Sequence, residues 1–202
     1  MYYPDKELYK SSLINAMLRF NLTTASIAFM WPFVHCLGLK RNELFTEEGK
    51  ICKRLGFLVS GIMIGIGDNI KGEKNVSEMY NDNDNRAMTS FLSLDRQIKS
   101  TESIMAVSES VILYITYDNL KYLCKMHPEF GIVRELLHAE QHIIMLTREA
   151  DVKQLNPEEI VKKLYKVHPE YFRKPYYKNL ISFYLGISRA SYNSILKRLK
   201  IK

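Results

Sequence analysis

Arg189, Asn193, Ser194 and Lys197 recur at helical spacing within SFYLGISRASYNSILKR, residues 182–198. Arginine can bond O6 and N7 of guanine, and asparagine N6 and N7 of adenine. Arg189 and Asn193, with Ser194 on the same exposed stripe, therefore carry the groups that reading base edges requires. Ser188, Lys197 and Arg198, with Lys174, Tyr177 and Lys178 upstream and Lys200 and Lys202 downstream, suit contacts to phosphate.

Other chemistry is less well served. HAEQH places His138 and His142 at i, i+4, a spacing that can hold zinc, but no third ligand is evident. GIGDNI starts like a dinucleotide loop, yet Ile70 stands where the third glycine belongs. NDNDN lacks the glycine and terminal glutamate of a calcium loop and reads as a hairpin tip. His35, His127 and His168 sit beside apolar or turn residues, so no Ser/His/Asp or Cys/His set assembles. The chain is not read as an enzyme. Cys36, Cys52 and Cys124 are odd in number and without a CxxC pair, as expected of reduced thiols in a cytoplasmic protein.

Charge supports the first assignment. Residues 1–150 hold 17 Lys+Arg and 18 Asp+Glu, whereas residues 151–202 hold 12 and 4. No acid follows Glu170. A positive excess gathered at one end is the footprint of a partner that is a polyanion or an anionic membrane. The amino terminus, MYYPDKELYK, lacks the apolar core of a signal peptide. Residues 21–39 are uncharged but contain Asn21, Pro32 and His35, and read as a buried helix and a strand rather than a membrane span.

The elements that must position these residues follow from periodicity. Residues 5–20 form an amphipathic helix with Leu8, Leu13, Met17 and Leu18 on its apolar side. Seven of the nine glycines lie between Gly38 and Gly72, among short apolar runs (GFLVSG, IMIGIG, then SIMAV and VILYIT), which predicts a β-domain over 40–116. Ile132, Leu136, Ala139, Ile143, Leu146 and Ala150 keep 4-3 spacing, a heptad seam that two parallel helices can bury. Leu137 and Ile144 widen the stripe toward the chain's own β-domain, and a single helix buried within one monomer is the alternative. Asn156 and Pro157 mark the start of another helix. At the end, Gly186 supplies the turn of a helix-turn-helix, and Ser182 the close crossing. Ile181, Leu185, Ile187, Tyr192 and Ile195 face inward, and Ser188 caps the second helix.

The order of a β-domain, a helix led by YDNLKYLCKMHPEFG and PYYKNLISFYLGISRASYNSILKRL resembles the Crp/Fnr family of bacterial transcription regulators, nearest to its Bacteroidetes-type branch. LFTEEGKICKRLGFLVSGIM looks like the family's strand-turn segment. The resemblance implies an α+β fold: a cupin-like double-stranded β-roll sensor with flanking helices at 1–128, a dimerisation helix at 129–153, and a winged helix-turn-helix at 154–202. Arg189 falls where the family has a base-reading arginine. Ala190 falls where a base-reading glutamate is usual and Ser194 where a second arginine is usual, so the operator should differ from the best-known one. Cyclic-nucleotide-binding members carry a cassette like GE…RS/T-A; SFLSLDRQIKSTESIMAV has none, and Arg96 and Lys99 are the cations left for an effector pocket. Neither cAMP nor an iron-sulfur cluster is expected, and no cofactor is assigned.

The function that emerges is sequence-specific DNA binding by a homodimer on a palindromic operator, with RNA polymerase as a further partner and the effector unknown or absent. Any effector would act by changing the angle between the helix pair and the DNA-binding heads. Two other readings stay open: a small-molecule-binding β-roll with only non-specific nucleic-acid contact, and a peripheral membrane protein using its basic end.

Overall fold

The computed structural model describes residues 1–68, 74–173 and 177–201; Ile70, Gly72, Lys174 and Lys202, named above, lie outside them. After a 3-10 turn at Lys6–Tyr9 come α1 (Lys10–Leu18) and α2 (Thr24–Met30). Eight strands follow: β1 (His35–Leu39), β2 (Leu44–Thr46), β3 (Arg54–Ser60), β4 (Ile62–Asp68), β5 (Lys74–Asn81), β6 (Ala87–Met88), β7 (Glu102–Ala106) and β8 (Ser110–Thr116). A short α3 (Phe91–Arg96) lies between β6 and β7. They form two antiparallel sheets, β1-β8-β3-β6 and β2-β7-β4-β5. Leu37, Phe45, Leu58, Met63, Tyr80, Met88, Ile104 and Ile112, one from each strand, share a single buried cluster, so the two sheets face each other. The roll is filled by side chains.

Each sheet is also covered on its outer face, by different parts of the chain. Phe57, Ala87 and Leu113 of the first sheet pack against Leu13 and Met17 of α1, Ile27 of α2, Leu123 of α4 (Tyr117–Met126), and Phe130, Val133 and Leu137 of α5 (Glu129–Gln154). Leu8 and Leu18, by contrast, are exposed. The first turn is 3-10 rather than α, which rotates Leu8 away from the stripe that Leu13 and Met17 define.

On the second sheet, Ile62 and Ile64 of β4 and Val76 and Met79 of β5 point outward into a cluster that also holds the apolar residues of the carboxyl-terminal head. The head comprises α6 (Pro157–Val167), a 3-10 turn at Pro169–Phe172, α7 (Tyr177–Tyr184) and α8 (Arg189–Leu199). Head and roll therefore share one core. The unbroken apolar run IMI in β4 reflects this, because Met63 faces the roll interior while its neighbours face the head.

Polar contacts fix the same junction. Arg148 of α5 donates from Nε to the Tyr184 carbonyl at 2.8 Å and from Nη1 to the Ser77 carbonyl at 2.8 Å. Its Nη2 reaches the Val76 carbonyl at 3.2 Å, and the guanidinium lies 4.4 Å from the Tyr184 ring centroid. Asn81 donates from Nδ2 to the Tyr171 hydroxyl at 2.7 Å. The same Asn81 accepts from the backbone of Asn83 and Asp84 through its side-chain oxygen, which makes NDNDN the expected turn. One correction concerns the head itself: the described residues of 154–201 contain no strand, so the wing implied by the family resemblance has no counterpart among them. Nor is any helix among the described residues long and apolar enough to cross a membrane.

Candidate nucleic-acid interface

The turn before α8 is built by backbone geometry. Gly186 adopts φ +66°, a left-handed conformation that costs glycine nothing. Ile187 N–H bonds the Ser182 carbonyl at 3.0 Å and Gly186 N–H the Phe183 carbonyl at 3.1 Å, closing the end of α7. Ser182 is fully buried, its hydroxyl donating to the Asn179 carbonyl at 2.8 Å, so the helices can approach closely there. Ser188 then caps α8, its hydroxyl accepting from Ser191 N–H at 3.1 Å. Ile181, Leu185, Tyr192 and Ile195 are buried as the spacing requires.

What remains outside is the stripe named from sequence: Arg189, Ala190, Asn193, Ser194 and Lys197 are all exposed along α8. Arg189 opens the helix and Asn193 lies one turn on, on the same face. The Arg189 guanidinium sits 5.1 Å from the centroid of the Phe183 ring, a partner that sequence reasoning missed.

The phosphate set divides. Ser188 and Lys197 are exposed and Lys178 is half-buried. Tyr177 is buried and belongs to the head core, so its ring is a packing group rather than a surface contact. Arg198 is exposed but pairs with Glu158 of α6 at 3.2 Å, a carboxylate it shares with Lys162 at 2.8 Å. The head uses it to tie α6 to α8.

The seam residues of α5 lie open in the single chain. Ile132, Leu136, Ile143 and Leu146 are 62, 44, 62 and 49% exposed, Ala139 is exposed and Ala150 half-buried. Leu137, one step round the helix, is buried against the roll.

The proposed effector cations are misplaced. Arg96 ends α3 and Lys99 follows it, and both are exposed on the surface. A cavity of about 230 Å³ does lie between the roll and α5, but Glu78, Tyr80, Ser90, Glu102, His138 and His142 line it. Burial pushes the Glu78 carboxyl up to about 7 against the opposing pull of Arg148. Burial raises Glu102 too, despite a 2.6 Å hydrogen bond from Ser77. The titratable groups that line this cavity are carboxyls, imidazoles and the Tyr80 phenol, and among the described residues no lysine or arginine joins them. His138 is stacked on Phe91, ring centroids 4.7 Å apart.

No protein-family profile matches the chain, and no curated protein matches it. Solved structures do. FixK2 of Bradyrhizobium japonicum is 10% identical, with a TM-score of 0.70 over 83% of this chain and 84% of its own. A protein from Eubacterium rectale assigned to the Crp/Fnr family of transcriptional regulators is 16% identical, with a TM-score of 0.68 over 91% of this chain and 86% of its own. The c-di-GMP-responsive global regulator CLP of Xanthomonas campestris is 11% identical, with a TM-score of 0.60 over 88% and 92%. The double-sheet roll, the long α5 and the helix-turn-helix head together give this chain the fold of the Crp/Fnr transcriptional regulators.

Proposed function

We propose that the chain is a sequence-specific DNA-binding transcription regulator that acts as a homodimer through α5. The observation that carries this reading is the exposed Arg189–Asn193–Ser194–Lys197 stripe on a helix whose opposite side is fully committed to the head core. Arg189, Asn193 and Ser194 read base edges in the major groove, and Ser188, Lys178 and Lys197 contact phosphates. Lys174 is retained in that role from sequence alone. Two-fold pairing along Ile132, Leu136, Ala139, Ile143, Leu146 and Ala150 would set two recognition helices on half-sites about 34 Å apart, hence a palindromic operator. RNA polymerase is the further partner this role implies.

The regulator does not answer to cAMP or cGMP. Among the described residues no lysine or arginine lines the cavity between roll and α5, and the carboxyls of Glu78 and Glu102 supply no positive charge to neutralise a cyclic phosphate. Iron-sulfur chemistry is not assigned, since the three cysteines are dispersed and two of them, Cys36 and Cys52, are buried.

Selection of duplexes from random-sequence DNA by the full-length chain, followed by anisotropy titrations, tests the reading. A palindromic motif should emerge, and affinity should fall roughly 10³- to 10⁵-fold between 50 and 200 mM salt if six to ten phosphates are neutralised. Arg189→Ala should reduce discrimination at one base pair per half-site by about 1–3 kcal/mol. Absence of any enriched motif would refute sequence-specific recognition.

A further inference from the structure

We infer that Phe183 is a specificity-determining residue of the recognition helix, positioning the Arg189 guanidinium for base contact; this rests on the DNA-binding reading above. Phe183 is out of place as a core residue. It is 39% exposed on α7 between the buried Ser182 and Tyr184, and the apolar cluster of the head is complete without it. What it touches is Arg189, whose guanidinium carbon lies 5.1 Å from the ring centroid. Arg198, the other arginine of α8, is instead paired with Glu158.

The geometry of guanidinium recognition explains why a ring here matters. Stacking uses the face of the group and leaves its N–H donors, which lie in the plane, free for guanine O6 and N7. An unsupported arginine must surrender rotamer freedom when it meets a base, whereas one already held on a ring has surrendered part of it beforehand. The Schellman turn at Gly186 fixes where the end of α7 stands relative to the first turn of α8, so the platform and the side chain it supports come from two helices locked together.

The test uses the full chain and five variants: Arg189→Ala, Phe183→Ala, Phe183→Leu, Phe183→Tyr and the Phe183→Ala/Arg189→Ala pair. Each is titrated by anisotropy against the duplex that the wild-type chain selects from random-sequence DNA, and against its single-base variants. Phe183→Ala and Phe183→Leu should lose roughly two- to fivefold in preference, at the same base pair that Arg189→Ala affects. Phe183→Tyr should retain the preference, and the double variant should discriminate no worse than Arg189→Ala alone. Binding to unrelated duplex and its salt dependence should stay unchanged in the three single Phe183 variants, which alter no charge. Phe183→Leu keeps apolar bulk, so a purely structural role would leave it like the wild type. That outcome overturns the inference, as does a loss at a different base pair, which would mean that the ring reads a thymine methyl itself. If Arg189→Ala discriminates as well as the wild type, there is nothing for Phe183 to position and the inference also falls. Failure of the wild-type chain to enrich any motif is the separate result that removes the DNA-binding reading.

Discussion

Arg148→Ala should detach the head from the roll. The guanidinium donates three hydrogen bonds, to two carbonyls of β5 and to the Tyr184 carbonyl at the end of α7, and stacks on the Tyr184 ring. A hydrogen bond with one charged partner contributes about 1.5–3 kcal/mol net. Three such bonds from one group share a single charge and do not add fully, and in the variant water can reach part of the site because Arg148 is only half-buried. A loss of about 4 kcal/mol is therefore the expected scale, a large share of the 5–15 kcal/mol typical of a whole domain. With a urea m-value of about 2 kcal/mol/M, the midpoint should drop by about 2 M. Arg148→Lys keeps the charge but presents a point donor in place of a planar fork, and should recover less than half of the loss. The assay is urea unfolding followed by two probes. Trp31 is the single tryptophan of the chain and sits in the cluster on the first sheet, so its fluorescence reports the roll. Near-UV circular dichroism reports the tyrosines, among which Tyr171, Tyr177, Tyr184 and Tyr192 are buried in the head. The wild-type transitions should coincide, and those of Arg148→Ala should separate, with the tyrosine signal lost first. Coincident transitions and a loss below about 1 kcal/mol would show that the hub does not hold the head.

Three other outcomes are expected. Glu78 titrates near 7 in the folded chain, above the ordinary carboxylate value of 4.5, because burial disfavours its charge. The folded state thus binds the proton more tightly, so this group's stabilisation is complete below about pH 4.5 and is lost as pH rises through 7, a span of about 3 kcal/mol. Glu78→Gln should flatten the urea midpoint between pH 5 and pH 8, and an unchanged slope would contradict the assignment. Gly186→Ala should cost about 1 kcal/mol, lowering Tm by about 2–4 °C, from the left-handed backbone alone, since its new Cβ would approach nothing closer than Val152 Cγ1 at 3.8 Å; a loss several times larger would reveal crowding that this geometry excludes. Ile143→Asp with Leu146→Asp should convert a dimer to a monomer in light-scattering chromatography while leaving the melting temperature of the protomer nearly unchanged, as both sites are largely exposed; a persistent dimer would place the interface elsewhere.

The helix-turn-helix was legible because its signals are local. The capping serine, the turn glycine and the inward spacing of Ile181, Leu185, Tyr192 and Ile195 lie within fifteen consecutive residues and depend on little else. The long α5 was legible for the same reason, its two stripes separating cleanly into the buried Leu137 side and the open Ile143 side. Residues whose role depends on tertiary neighbours were not. Tyr177 looked like a surface hydroxyl until the head closed over it, and Arg198 looked free until α6 brought Glu158 alongside. Arg96 and Lys99 are the cations of the stretch that corresponds to the family's phosphate cassette, but position along the chain does not reveal that both side chains end up exposed. The docking of the head did leave a trace, since an apolar run without alternation in β4 signals a strand covered on both faces.

The shared core beneath α6, α7 and α8 has a mechanical consequence. Close-packed interiors transmit displacement rather than absorbing it, and here β4 and β5 of the roll are the floor on which the carboxyl-terminal head stands. Within one chain the roll and the head are thereby braced together, with no elbow between them. If two such units pair along α5 as proposed, a signal would act most directly where they are joined, by altering the spacing and tilt of one against the other.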